Sequence, residues 1–402
     1  MTCPHCGAPD QQEAYCTACG KAMPAPTAPP RKVSWRRRLA VGIPAVLATL
    51  FVVGMVVASV PNPTSILAAT LLAVLPTIGY GLLVVSLDKF ETEPLRALVA
   101  AFAWGAIGAV AVAVVVEMVL SASLSDVLEV TLAAPVVEEV SKGVALLAIL
   151  LFYRHELDNV LDGIVYGALI GLGFAMTENI LYLAAAHDQG GVVGLTALFL
   201  VRGVLGGFSH AAYTAITGAA IGWSRQQHGR GAARVVVPVL GLLVAIGLHA
   251  AWNGVATLLG TLDNGAASVL ALFLMVGLIV LPATGVLLVV SRVVSRRELD
   301  LIRRTLLPEV ARGTLTPEEY LVVGREDLRP QALLAAELRG GKRLRRAQQR
   351  FFRVAADLAF QRDHAARGDP VGPEAQADAD ANRLELARLR VQLQAGAPGW
   401  GH

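Results

Sequence analysis

Between residues 39 and 291 long apolar runs alternate with short polar connections, and both ends of the chain are polar. The runs occupy roughly 39–60, 65–87, 97–120, 131–152, 160–184, 195–223, 235–260 and 266–291. Each has about 20 residues or more, enough to cross a hydrocarbon core of about 30 Å as a helix. The pattern predicts an all-α, polytopic membrane bundle of about eight transmembrane helices. It divides the chain into an amino-terminal module (1–23), a linker (24–38), a membrane domain (39–291) and a helical tail (292–402).

The polar connections predict an orientation. In the eight-span layout, Arg36, Arg37 and Arg38, Lys89 with Arg96, Arg154, Arg225 with Arg230 and Arg234, and Arg292 with Arg296 and Arg297 share one side. The alternate connections (PNPTS, SASLSDVLEV, AAAHDQGG and TLDNG) hold no Lys or Arg. The positive-inside rule then places both termini in the cytoplasm of a cell-membrane protein. An even number of spans is consistent with that.

Composition agrees. The chain is 55% hydrophobic and 16% charged, with a mean hydropathy of +0.58, whereas soluble domains are about a quarter charged. A net charge of +3 gives no case for a nucleic-acid partner. No cleavable signal peptide is expected, because the first apolar run follows a basic cluster and is too long for a signal core.

All four cysteines lie in the first 19 residues, as Cys3-Pro-His-Cys6-Gly and Cys16-Thr-Ala-Cys19-Gly. Two CxxC knuckles, each followed by glycine, suit a closed tetrahedral site of four thiolates. The expectation is a short zinc ribbon holding a structural zinc, with His5 a bystander. Residues 24–34 (PAPTAPPRKVS) are an extended linker. In the tail, Thr316 with Pro317 and Glu319 marks a helix start. Gly340-Gly341 interrupts a helix expected over 331–366, and a last helix is expected over 373–394. The tail is expected to be a solvated helical hairpin without chemistry of its own.

Polar residues inside the apolar runs carry the functional expectation, since a charge at mid-bilayer costs about 3 kcal/mol or more. The fourth run holds Glu138, Glu139 and Lys142. On a helix Lys142 is i+4 from one acid and i+3 from the other, so one cation serves two carboxylates. The fifth holds Gly163, Gly167, Gly171 and Gly173, a flat face for close packing, then Phe174, Glu178 and Asn179. Phe174 and Glu178 are i, i+4, which sets the ring beneath the carboxylate. The sixth holds Arg202 and His210, with Arg202 at a depth that suits pairing to Glu178. The seventh holds His249 and Asn253, again i, i+4, placed to offer two donors to one oxygen. Taken singly, each has a plain structural reading: an ion pair, a snorkelling acid, a packing histidine, interhelical glue. Taken together, Glu138, Glu178 and His249 lie roughly 9 to 17 Å below the outer ends of their spans at about 1.5 Å per residue. One cavity in the outer half of the membrane can hold all of them.

These motifs resemble the PrsW family of intramembrane proteases, in the larger group that includes the CAAX prenyl endopeptidases. The resemblance runs from Asp88-Lys-Phe-Glu-Thr-Glu-Pro through Glu138-Glu139-xx-Lys142, Phe174-Ala-Met-Thr-Glu178-Asn179, and Arg202 ahead of Ser209-His210-Ala, to Leu248-His249-Ala-Ala-Trp-Asn253. It implies an all-helical membrane peptidase that cleaves a single-span membrane protein, such as an anti-sigma factor, near its extracytoplasmic side. The ribbon and the tail lie outside it and are candidate docking points for a cytoplasmic partner.

The chemistry expected is hydrolysis by water. No cysteine lies in the membrane runs, and Ser141 and Ser209 are not set on a nucleophile elbow. Glu138 and Glu139 are candidate bases oriented by Lys142. His210 or His249 shares the water or protonates the leaving amine, and Asn253 with one imidazole is placed to stabilise the oxyanion. Glu178 completes the catalytic set, with Asn179, Arg202 and Phe174 in support. Metal catalysis is the lesser expectation, because no span carries HExxH and the two histidines sit on separate helices. Buried acids and histidines also build proton relays, so a proton-coupled transporter is one alternative. A non-catalytic scaffold is the other.

Overall fold

The computed structural model describes residues 49–50, 53–54, 62–88, 93–152, 157–227, 231–260, 265–366 and 373–395. The expected zinc ribbon (Cys3, Cys6, Cys16, Cys19), the linker and most of the first apolar run lie outside the described residues. Two compact units are distinguished, one over Gly42–Ile302 and one that includes Arg303–His402. Among the described residues every regular element is a helix.

The membrane unit starts at α1 (Pro63–Val85). Asn62 caps it by accepting from the Thr64 amide at 3.1 Å, and Pro63 sits in its first turn. Leu67, Leu71, Leu75, Ile78 and Leu82 form an exposed apolar stripe along α1, a surface suited to lipid and not to water. Helix α2 (Leu95–Leu120) contains a π-helical stretch at Trp104–Ala109. A second π-helical stretch, Glu129–Ala133, leads into α3 (Ala134–Phe152). Then come α4 (Val160–Leu198), α5 (Ser209–Gln226), α6 (Ala233–Gly260), α7 (Gly265–Met275) and α8 (Leu281–Ala311).

Helix α4 is the centre of the unit. Residues 160–175 are all buried, as expected of a helix that is apolar on every side. The Asn159 side chain accepts from the Leu161 and Asp162 amides, and Asp162 reciprocates, so the helix begins with a capping box. Its glycine face meets α5 backbone to backbone. A Cβ on Gly163 would lie 2.0 Å from the Gly218 carbonyl oxygen, and one on Gly171 would lie 2.3 Å from that of His210. Small residues allow this approach, and it fixes where His210 sits relative to α4.

Among the described residues five helices are long and apolar enough to cross a membrane: Pro63–Val85, Leu95–Leu120, Val160–Gln226, Ala233–Leu259 and Val269–Ala311. They make this a multi-pass membrane chain. The expected count of eight is not recovered among the described residues. The first run falls largely outside the described residues. Helix α3 carries three charged residues, Glu138, Glu139 and Lys142, more than a plain lipid-spanning run holds. The fifth and sixth runs join into one long path. Helix α4 continues through the expected AAAHDQGG connection and kinks only at Gly191, whose φ of 58° suits glycine. Beyond the kink the path turns π-helical at Phe199–Leu205, and α5 starts afresh at Ser209. The expected sixth span is therefore a broken helix, interrupted at Gly206-Gly207-Phe208. Non-helical backbone at membrane depth is tolerated where it is enclosed by protein or lines a cavity.

The tail unit is better packed than a solvated hairpin. It comprises the end of α8, α9 (Pro317–Val323), α10 (Leu328–Ala366) and α11 (Pro373–Ala395). Thr316 and Glu319 form the expected capping box, and Gly340 and Gly341 leave helical geometry as expected. Phe351, Leu358, Leu386 and Leu389 are buried in its core. Glu309 is fully buried and is met by Arg312 at 2.8 Å, Arg362 at 2.5 Å and Arg383 at 2.9 Å.

Candidate active site

Helix α3 brings Glu138, Glu139 and Lys142 onto one face, and all three are buried, Lys142 completely. Nζ of Lys142 donates to Oε2 of Glu138 at 3.2 Å and to Oε1 of Glu139 at 2.8 Å. The same ammonium lies 3.1 Å from Nδ1 of His210 on α5. An ammonium has only donors, so Nδ1 of His210 accepts and its ring proton is on Nε2. That Nε2 lies 3.0 Å from Oε2 of Glu178 on α4.

Glu178 in turn pairs with Arg202 at 2.8 Å, and Arg202 Nε donates to Oδ1 of Asn179 at 3.0 Å. The pairing of Glu178 with Arg202 is the one that their depths predict. On the other flank, Nδ1 of His249 on α6 lies 3.1 Å from Oε1 of Glu139, and its Nε2 lies 3.9 Å from Oε2 of Glu138. The two imidazoles meet edge to face with ring centroids 4.8 Å apart. Glu138, Glu139, Lys142, Glu178, His210 and His249 thus form one continuous network from four helices.

The two adjacent glutamates differ in how much of their capacity is used. Oε1 of Glu139 takes Lys142 and His249, and its Oε2 accepts from Thr214 at 3.2 Å. Glu138 has a longer contact with Lys142 and a distant one with His249. Glu139 is therefore the anchor of the network. Glu138 is the carboxylate with capacity left for another group.

A water-sized cavity of about 10 Å³ adjoins the network, lined by Ala175, Asn179, Arg202, Gly206, Gly207, Ser209, His210 and Trp252. The break between the two halves of the sixth apolar run supplies its wall. A Cβ on Gly206 would lie 2.8 Å from the Trp252 ring, so glycine there lets Trp252 close the cavity.

Two expected placements are corrected. Asn253 does not join the network. Its Nδ2 donates to the Val130 carbonyl at 3.0 Å. In the π-helical stretch the Ala134 amide bonds back to Glu129, and the next donor in that register would be residue 135, a proline without an N–H. The Val130 carbonyl is left for a side chain to satisfy, and Asn253 does so. The Phe174 ring instead faces Lys142, with its centroid 3.8 Å from Nζ, a cation–π contact.

Two further residues belong to the site. Thr214 is one turn beyond His210 on α5, and its spacing is the signal that marks it. Tyr213 stacks on His249 with ring centroids 5.5 Å apart; nothing in the sequence singles it out from other buried aromatics.

Glu138, His210 and His249 each offer one ligand atom, all within 4.8 Å of one another. Nitrogen and oxygen donors of this kind suit zinc. The network also carries three carboxylates (Glu138, Glu139, Glu178) against two fixed cations (Lys142, Arg202), a balance that favours an added cation. The separate helices that weighed against a metal site in the sequence are brought together by the fold.

Residues 93–281 match the model of the PrsW family intramembrane metalloproteases. That stretch includes every residue of the network. Over 135 residues the chain is 36% identical to Protease PrsW of Geobacillus kaustophilus (strain HTA426), a match that covers 33% of this chain and 55% of that protein. The chain thus spans about half the length of this curated PrsW relative. No solved structure matches the chain. Both similarities are to the PrsW family, and each covers less than half of this chain.

Proposed function

We propose that this chain is an intramembrane endopeptidase of the PrsW family that hydrolyses a peptide bond in a membrane-anchored, single-span protein. The observation that carries the reading is the buried network of Glu138, Glu139, Lys142, Glu178, His210 and His249 beside a water-sized cavity. Such groups are costly in a membrane and mark function.

In this reading Glu138 is the reactive carboxylate. Glu139 holds Lys142, His249 and Thr214 in place. Lys142 donates to both acids and orients them. His210, with its proton on Nε2, delivers that proton toward the leaving amine, and Glu178 with Arg202 fixes its ring. In a metal-dependent form of the same reading, Glu138, His210 and His249 would instead hold a divalent metal, which when bound polarises the scissile carbonyl and activates water, and His210 is then a ligand and not the proton donor.

Cleavage on the extracytoplasmic side, an anti-sigma factor as substrate, a relation to the CAAX prenyl endopeptidases, cell-membrane residence and cytoplasmic termini are parts of the same proposal. They rest on motif resemblance and on the one-sided distribution of Lys and Arg. A zinc ribbon over Cys3–Cys19 that docks a cytoplasmic partner rests on cysteine spacing.

The test is co-expression with candidate single-span proteins. Wild type should release a fragment that Glu138→Gln and His249→Ala do not. Chelation should stop cleavage in a chain lacking residues 1–23 if the site uses a metal; cleavage that survives exhaustive chelation leaves Glu138 as a general base acting on water alone. Solute uptake into proteoliposomes without peptide cleavage would replace the reading with transport.

A further inference from the structure

The water-sized cavity beside the catalytic network is walled by hydrogen-bond donors that have nothing to donate to. Asn179 on α4 lines it and is 6% exposed. Oδ1 of Asn179 accepts from Nε of Arg202 at 3.0 Å. A guanidinium only donates, so the amide is turned with its oxygen to Arg202 and its Nδ2 away. Nδ2 has no hydrogen-bond partner among the described residues. Trp252 on α6 also lines the cavity and is 7% exposed. Its Nε1 has no partner among the described residues either. A buried indole N–H normally finds an acceptor, as Nε1 of Trp104 does at the Ser141 carbonyl, 3.1 Å away. Cζ2 of Trp252, two bonds from Nε1, is the atom that a Cβ on Gly206 would meet at 2.8 Å. That edge of the indole therefore stands at the break before α5.

The backbone at the break adds a third donor. The Gly206 amide bonds to the Val201 carbonyl at 2.7 Å, and the Ser209 amide to the Gly206 carbonyl at 2.9 Å. The Gly207 amide between them has no partner among the described residues. Helix α5 begins here without a side-chain cap, so the positive end of its dipole meets the same space. No carboxylate lines the cavity, while the cation Arg202 does. His210 belongs to both cavity and network, with Nδ1 turned to Lys142 and Nε2 to Glu178. A water in this space needs acceptors for its own protons as well as donors. A carbonyl oxygen is of similar size and only accepts.

We propose that Asn179, Trp252 and the Gly207 amide form the oxyanion hole of the peptidase, the role that Asn253 does not fill. The inference rests on the peptidase reading above in its metal-free form. Water adds to the scissile carbonyl carbon and gives a proton to Glu138, while the π pair of the carbonyl moves onto its oxygen. That oxygen, now negative, sits among the three donors, where fixed dipoles in a water-poor site stabilise it most. The pair then returns to the carbon as the C–N bond breaks. The leaving amine takes the proton from Nε2 of His210, and the proton held by Glu138 restores the imidazole. Glycine at 207 serves two ends: it leaves its amide uncovered, and a Cβ there would lie 2.1 Å from the Gly203 carbonyl oxygen.

The test uses the single-span protein that wild type fragments on co-expression, purified with the full-length chain in detergent, and reads kcat and KM separately. Asn179→Asp keeps the shape of the side chain and the acceptor for Arg202 but exchanges Nδ2 for an oxygen. Its kcat should fall by about 100-fold or more, the effect of losing one oxyanion donor, with KM little changed, as for a contact made only in the transition state. Trp252→Phe removes the N–H, keeps an aromatic ring and should show the same split. Folding is read from Tm and from retention of uncleaved substrate by Glu138→Gln chains that carry either change; both should match Glu138→Gln alone. A kcat within about tenfold of wild type in both variants overturns the proposal. So does a rise in KM at unchanged kcat, which would make the donors contacts to bound substrate only. Loss of kcat matched by loss of both Tm and retention overturns it in favour of a packing role. A wild-type chain that fragments no candidate defeats the peptidase reading itself, before any substitution is made, and the oxyanion hole falls with it.

Discussion

Nζ of Lys142 lies 3.1 Å from Nδ1 of His210 while also donating to Glu138 and Glu139. One ammonium thus links the acids of α3 to the imidazole of α5 and sets the tautomer that faces Glu178. Replacing it with methionine keeps the length of the side chain and removes the charge. Lys142→Met leaves two adjacent buried carboxylates without their shared cation, a loss of about 3 to 5 kcal/mol when a buried pair is broken. The expected outcome is a marked fall in Tm in detergent together with loss of cleavage. A Lys142→Met chain that keeps both would show that the ammonium neither orients nor neutralises the acids.

The unequal partners of the two glutamates predict a split between chemistry and stability. Glu138→Gln should reduce cleavage by at least about 100-fold, the low end of what a general base contributes, with Tm close to wild type. Glu139→Gln should cost about 1.5 to 3 kcal/mol, because it exchanges charge-assisted hydrogen bonds to Lys142 and His249 for neutral ones. Cleavage assays and thermal unfolding on the same preparations check this. Equal effects of the two substitutions on both measurements would remove the distinction drawn between them.

How far the sequence displays this site can be argued residue by residue. Glu138, Glu139 and Lys142 were legible because a helix forces i+3 and i+4 neighbours together. Glu178, Arg202 and His249 were legible from depth alone, since residues on different spans at one level can meet. The glycine face of α4 was legible from its spacing. Asn253 was misplaced because the same i, i+4 logic cannot see a π-helical stretch followed by proline on another helix, which leaves the Val130 carbonyl in need of a donor. The break at Gly206-Gly207 was hidden within a continuous apolar run. Hydropathy sums over residues and does not register where backbone hydrogen bonds stop.

Close approach of α4 and α5 gives a test of the site that touches none of its reactive atoms. A Cβ at Gly171 would lie 2.3 Å from the His210 carbonyl oxygen, so Gly171→Val must push α5 away and displace His210. Cleavage should fall to background although every titratable residue is present. The control is Gly247→Ala on α6, where a Cβ meets nothing within 4 Å. Alanine there should preserve cleavage and raise stability by up to about 1 kcal/mol, the difference in helix propensity. If Gly171→Val cleaves as wild type does, the backbone contact does not position His210.

Asn253 separates the structure from the motif that contains it. Sequence spacing sets it beside His249 as an oxyanion donor; the fold turns it to the Val130 carbonyl. As a donor to a carbonyl that no backbone amide reaches, it contributes about 1 kcal/mol. Asn253→Ala should therefore lower Tm slightly and keep cleavage within about tenfold of wild type, whereas loss of an oxyanion donor costs about 100-fold or more. Asn253→Asp gives the second arm. A carboxylate cannot donate to Val130 and faces a carbonyl dipole of the same sign, so this chain should be less stable than the alanine one. A collapse of kcat in Asn253→Ala at unchanged Tm would mean that the side chain leaves Val130 when substrate binds, and the oxyanion role would be restored.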